Sequence, residues 1–238
     1  MPDAVVKASY DFLEPLGLSG RGGTTERVQS ILREAIISFE LPPGGDIDKL
    51  AICEKLGVSR FPVSEALARL QSEGLVEILP QRGTRVSRIR LTDVRQSMFI
   101  RSALEAQAVR TLASSHDESL LPALERNLRY QRAAEAAGDR RGFHLLDLEF
   151  HLILLDALGY SRVKAAVEAA RANLDRVRRL LSSPRHHALT VDDHEKIVAA
   201  LAAGEAEAAG RAMEEHLDFV ITELVAFAAE NPTLFEDL

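Results

Sequence analysis

The sequence predicts a mainly α-helical chain with one small β-hairpin in its first third, and three observations carry that prediction. Apolar residues recur at helical spacing in run after run, Val63, Ala66, Leu67 and Leu70 among the clearest. Strand-like segments occur in one place only, Val76 to Leu79 and Arg85 to Ser87, on either side of Pro80-Gln81-Arg82-Gly83-Thr84. Beyond residue 92 no strand pattern is found. The expected architecture is therefore an N-terminal winged helix-turn-helix with a small β-wing, followed by an all-α helical bundle.

Each element follows from local chemistry. Residues 1–23 end in Gly-Leu-Ser-Gly-Arg-Gly-Gly and show no periodicity, so they read as a flexible arm. Thr24 or Thr25 is placed to cap the first helix, whose Val28, Ile31, Leu32, Ala35 and Ile36 make one apolar stripe. A second helix, Leu50 to Leu56, ends at Gly57, the usual left-handed stop. Val58 and Ser59 form a short turn, with Ser59 the expected N-cap of the third helix and Pro62 tolerated in its first turn. Arg60, Phe61, Ser64, Glu65 and Ala68 fall on the face opposite the apolar run. Gly74 stops that helix, and Arg82 stands at the tip of the hairpin turn beside Gly83.

A capped, arginine-led helix followed by a hairpin with a basic tip suits entry of the helix into the major groove while the wing touches the flanking backbone. The same order of elements also serves as plain structure in many proteins, and the basic residues favour DNA. The domain would span 24–88. Residues 89–91 would be a linker within the basic stretch Ser87-Arg88-Ile89-Arg90-Leu91-Thr92. Thr92 is the expected cap of the next helix. Breaks near His116-Asp117, Ala137-Gly138-Asp139, Gly159-Tyr160, Ser182-Ser183-Pro184 and Ala203-Gly204 divide residues 92–229 into about six helices. Asn231-Pro232 closes the last one and leaves 230–238 as a tail.

Composition agrees. A chain of 238 residues suits a small and a medium domain, and 46% hydrophobic residues without tryptophan make an ordinary core. No apolar run is long enough to cross a membrane, and MPDAVVKASYDF lacks the regions of a signal peptide, so a cytoplasmic protein is expected. The single cysteine, Cys53, suits that compartment and reads as a packing residue. The net charge of −7 is unevenly spread: residues 21–90 hold 11 basic against 9 acidic residues, and residues 91–238 hold 17 against 24. A weakly positive head binds DNA modestly by itself, which argues for two heads on one operator and hence a homodimer.

A second constellation lies in the helical part. Phe143-His144-Leu145-Leu146-Asp147-Leu148-Glu149-Phe150-His151 is apolar nearly all round, so burial is expected. Asp147 and His151, four apart, share a face. An Asp–His hydrogen bond in the core would explain them. With His194 and His216 of the last two helices they would also suit Zn²⁺, Ni²⁺, Mn²⁺ or a similar divalent ion, zinc first.

The head closely resembles the winged helix of the GntR family of bacterial transcription regulators. The likeness is carried by Arg33-Glu34-Ala35-Ile36-Ile37, Leu41-Pro42-Pro43-Gly44, Leu56-Gly57-Val58-Ser59-Arg60, Pro62-Val63, Glu65-Ala66-Leu67, Arg69-Leu70, Glu73-Gly74-Leu75-Val76 and Gly83. It implies that Ser59 and Arg60 touch operator phosphate and bases, and that the wing near Gly83 enters the minor groove. Leu50 and Ser64 stand where relatives carry DNA-reading arginines, so a different operator is expected.

Residues 92–229 resemble the FCD domain of the FadR subfamily through Arg101-Ser102-Ala103-Leu104-Glu105, Asp147-x-x-x-His151, His194-Glu195-x-Ile197, Ala212-Met213 and His216-Leu217. That resemblance implies that Asp147, His151, His194 and His216 ligate a metal. It makes Arg101 the candidate for gripping a small carboxylate effector, against a plain Arg101–Glu105 helix salt bridge. The run from Asn173 to Leu180 resembles a stretch of part of the subfamily, placing Asn173 and Arg176 at the pocket or on a solvated or dimer surface. The chain so read is a regulator and no enzyme. The alternatives are a metal-dependent hydrolase or lyase using the Asp/His set, and a nonspecific nucleoid protein.

Overall fold

The computed structural model describes residues 10–17, 23–115, 117–172 and 174–237. They form two compact units, one of residues up to Leu91 joined by the segment from Asn231, the other Thr92–Glu230.

In the first unit, α1 (Thr24–Ile37) and α2 (Lys49–Leu56) pack on α3 (Arg60–Ser72), and β1 (Val76–Leu79) pairs antiparallel with β2 (Gly83–Val86). Val28, Leu32 and Ile36 of α1 bury against Ile52 and Leu56 of α2 and Val63, Ala66, Leu67 and Leu70 of α3. Arg33 and Gln29 both bond the Glu73 carboxylate, which ties α1 to the end of α3. Asp48 caps α2 by accepting from the Leu50 and Ala51 amides, and left-handed Gly57 (φ 67°) ends it.

The wing is tighter than expected. β2 begins at Gly83, so the connection is only Pro80-Gln81-Arg82, closed by the Arg82 amide on the Leu79 carbonyl at 3.1 Å. Pro80 followed by Gln81 at φ 62° is the pattern of a type II turn. At its root, Gly44, Gly45 and Ile47 exchange backbone hydrogen bonds with Thr84 and Val86, which widens the hairpin by a third extended segment.

Two caps differ from the sequence reading. Gly23, not a threonine, precedes α1, and the Glu26 side chain accepts its amide at 3.2 Å. Ser59 occupies the N-cap position of α3, yet its hydroxyl makes no capping bond.

Residues 10–17 are not part of a flexible arm. Tyr10 and Leu13 are buried in the core of the unit, the Tyr10 hydroxyl accepts from the Asp48 amide at 2.7 Å, and the Leu16 amide bonds the Leu56 carbonyl. Two aromatic rings and two leucines in eight residues supply enough apolar surface to hold the strap down. Residues 1–9 and 18–22 lie outside the described set.

The C-terminal segment also belongs to this unit. Ile89 bridges Phe235, which is 3% exposed, and the Asp237 carboxylate accepts the Leu91 amide at 2.6 Å.

Among the described residues the second unit holds seven helices where the sequence predicts about six: α4 (Leu91–Ser114), α5 (Leu120–Ala137), α6 (Arg140–Leu158), α7 (Ser161–Ala172), α8 (Asp175–Leu181), α9 (Pro184–Ala202) and α10 (Ala206–Glu230). The break between α7 and α8 carries no glycine or proline, which is why periodicity reads through it. Thr92 is not a cap, because α4 already starts at Leu91. Helix α5 packs on α6 and α9, and α9 on α10. Helix α6 is buried on one face only: Phe143, Asp147, Phe150 and His151 point inward, while Leu145 stays exposed.

Candidate metal centre and nucleic-acid interface

On α3 the apolar run turns inward and the opposite face is left to solvent. Ser59, Arg60, Ser64, Glu65 and Ala68 are exposed, and Phe61 is 70% exposed, an unusual cost for a ring of that size. Leu50, near the start of α2, is 52% exposed. Arg82 and Gly83 stand exposed at the wing turn. Cys53 is half-buried behind this face, its Sγ 3.7 Å from the Ser59 carbonyl, as a small packing residue would be.

In the helical unit, α6, α9 and α10 bring Asp147, His151, His194 and His216 together, all buried, with one donor atom from each lying within 4.8 Å of the others. The second nitrogen of each imidazole has a neighbour of its own. His194 Nδ1 is 3.0 Å from Gln131 Oε1, His151 Nδ1 is 2.5 Å from Glu105 Oε2 though off the hydrogen-bond line, and His216 Nδ1 is 3.9 Å from Asp193 Oδ2. Acceptors at Nδ1 favour a proton there and leave each Nε2 lone pair facing inward. Arg101 Nη2, which can only donate, lies 3.5 Å from His151 Nε2 and favours the same tautomer.

The inward nitrogens are crowded. His194 Nε2 and His216 Nε2 are 3.3 Å apart, and Asp147 Oδ1 is 3.7 Å from Nε2 of both His151 and His194. Acceptors that converge without a donor between them repel. Three imidazole nitrogens and one carboxylate oxygen are the donor set that suits a borderline divalent cation, so the residues fit the group that the sequence implies.

Electrostatics prepare the same set. Burial, helped by the neighbouring imidazoles, pushes His194 well below its ordinary pKa; burial also pushes His216 down, against Asp193. Both are neutral at pH 7, as a metal ligand must be. Burial alone would raise Asp147, but the Arg178 guanidinium, bonded to it at 2.6 Å, and the imidazoles of His151 and His194 hold it well below the usual carboxylate range. Phe150 stacks on His194 with ring centroids 3.8 Å apart and fixes the plane of that ring.

Among the effector candidates, Arg101 is fully buried and bonds Glu105 through Nε at 2.6 Å, so the helix salt bridge exists, while its Nη1 has no partner. Arg176 is buried, and burial lowers its pKa to about 10. Asn173 lies outside the described residues. His144 is not among the four that converge.

Several residues around the cluster were not singled out from the sequence. Asn127 and Gln131 sit at core positions of α5, in phase with Leu120, Leu124 and Leu128. Gln131 donates to Asn127, which in turn donates to the Leu146 carbonyl and Glu149. Polar residues at apolar positions of a helical stripe were the available signal. Arg171, Arg178 and Asp193 carried no comparable one.

Residues 24–86 match the family described as bacterial regulatory proteins, gntR family, and residues 96–219 match the FCD domain. The chain is 34% identical over 205 residues to an uncharacterized HTH-type transcriptional regulator in an unstable DNA locus of Streptomyces ambofaciens, covering 86% of each. It is 32% identical over 216 residues to the HTH-type transcriptional repressor RspR of Escherichia coli strain K12, covering 89% of this chain and 93% of that one. The crystal structure of a putative transcriptional regulator GntR from Rhodococcus sp. RHA1 superposes with a TM-score of 0.70 at 28% identity, covering 85% of this chain and 97% of that one. These relatives are regulators, and the hydrolase or lyase alternative is set aside. A winged head with its reading face open, followed by an FCD domain, places the chain in the GntR family of bacterial transcriptional regulators.

Proposed function

We propose that the protein is a homodimeric, cytoplasmic operator-binding repressor whose DNA affinity is set by a small organic acid held at a divalent metal in the helical unit. The observation that carries the metal half is the inward convergence of three imidazole Nε2 atoms on one ionised carboxylate, each imidazole backed by its own acceptor. Asp147, His151, His194 and His216 would hold the ion, zinc first, with nickel or manganese as alternatives. When bound, it supplies a Lewis-acid position for an oxygen of the effector. Arg101 grips the effector carboxylate with its unpartnered Nη1, and buried Arg176 lines the same site. Repression is the sign suggested by the relative described as a repressor.

On DNA, two heads occupy half-sites about one helical turn apart. Arg60 and Ser64 read base edges, Ser59 bonds phosphate with the hydroxyl that does not cap α3, and exposed Phe61 meets a thymine methyl. Arg82 and Gly83 carry the wing to the minor groove. The effector acts only through its differential affinity for the two states of the dimer, on the order of 1–3 kcal/mol of coupling.

Metal analysis of untagged protein tests the proposal. About one zinc or nickel ion per chain is expected, absent after His151→Ala with His194→Ala. Protein that stays metal-free after incubation with divalent ions sinks the metal site and leaves the DNA-binding role standing.

A further inference from the structure

We propose that Arg171 forms a second anion subsite beside the Asp147/His cluster, next to the carboxylate position that Arg101 serves, so that the effector of this protein carries two acid groups. The inference rests on the reading above that an organic acid binds at this cluster.

Arg171 lies on α7 with its side chain 5% exposed, and neither Nη1 nor Nη2 has a hydrogen-bond partner. Its nearest carboxylate oxygen, Asp147 Oδ2, is 3.8 Å from Nη2 and is already bonded by Arg178 at 2.6 Å. The other carboxylate of the cluster, Glu105, is engaged by Arg101 Nε and His151. Three guanidiniums, of the buried Arg101 and Arg171 and the nearly buried Arg178, thus face two carboxylates that are both taken. Half-buried Asp175 adds its charge near Arg178. Arg171 suffers most from the imbalance: burial, then the charges of Arg178 and Arg101, press its guanidinium down to about 9.

A buried charge with unmade hydrogen bonds is costly, and a fold keeps one when something else completes it. A divalent cation at the imidazoles makes the region more positive still. An acid with one carboxylate, spent on the metal and Arg101, leaves Arg171 as it is. A second carboxylate or a phosphate on the same molecule accepts from its two free Nη groups in the forked geometry that guanidinium offers. The shared chemistry is a small hydroxy or oxo acid with a second acidic group.

The test is titration calorimetry of the full metal-loaded chain with matched pairs: malate against lactate, 2-hydroxyglutarate against 2-hydroxybutyrate, and 3-phosphoglycerate against glycerate. In the wild type at least one doubly acidic member is expected to bind ten-fold or more tighter than its partner, roughly what one charge-assisted contact supplies. Which pair shows it distinguishes a carboxylate from a phosphate. In Arg171→Met that ratio is expected to fall below about two-fold with the monoacid affinity unchanged, and Arg171→Lys to give an intermediate ratio. Equal affinity within every pair, or a ratio that survives Arg171→Met, overturns the subsite while leaving the effector reading intact. No binding of any acid overturns both.

Ligand-free stability gives an independent readout. Arg171→Met removes an uncompensated buried charge, so the thermal midpoint is expected to rise. A lowered midpoint marks Arg171 as a structural partner of Asp147 and overturns the proposal.

Discussion

Gln131 holds the Nδ1 proton of His194 and is itself held by Asn127, so the orientation of one buried imidazole depends on an amide that touches no other part of the cluster's inner face. Gln131→Met keeps the volume and deletes the acceptor. Metal affinity is expected to drop roughly 10- to 100-fold, measured by chelator competition; unchanged affinity contradicts the tautomer assigned to His194. Glu105 makes a second prediction. Burial alone would raise its carboxyl, but Arg101 and His151 hold it well below the usual range. In the unfolded chain it titrates at about 4.3, so its contribution is fully present above that pH and is lost as pH falls through the lower folded value. Melting midpoints of the wild type are therefore expected to fall steeply below about pH 4.3, and those of Glu105→Gln less steeply. The residues with a resemblance to lean on, the three histidines and Asp147, were legible in the sequence. Arg171 and Arg178 were not, because a run of arginines on short helices looks the same whether it faces water or a core.

At the scale of elements, the proposed function gives α3 and the wing different parts of the DNA to read. Arg60→Ala is expected to cost about 1–3 kcal/mol on the operator and to relax discrimination at one base position. Arg82→Ala is expected to weaken operator and unrelated DNA alike, and to reduce the slope of log affinity against log salt by about 1. Gel-shift titrations at several salt concentrations separate the two, and a uniform loss for Arg60→Ala counts against its place on a base edge. Periodicity, Gly57 and the alternation around Pro80 were enough to place both elements to within two residues. The junction of α7 and α8 was hidden, since neither glycine nor proline marks it, and so was Asp48 as the cap of α2.

For the whole molecule, the least legible feature was the return of the chain's last residues to the first unit. Asn231-Pro232 announces a stop but not a destination, and a lone Phe235 has no period to read. Phe235→Ala is expected to destabilise the head by about 3–5 kcal/mol, seen in denaturant unfolding, with metal affinity unchanged. An unaltered unfolding midpoint would mean that the Ile89–Phe235 bridge contributes little. The same return has a consequence for taking the protein apart. A protease that cuts once between Leu91 and Thr92 does not free the winged fragment, because residues 231–237 still hold it through Ile89 and Leu91. Liberation takes a second cut after α10. A gene fragment that stops at Leu91 encodes a head that lacks the buried Phe235 and the bridge it makes to Ile89, and such a fragment should aggregate unless the C-terminal octapeptide is supplied in trans or fused behind it.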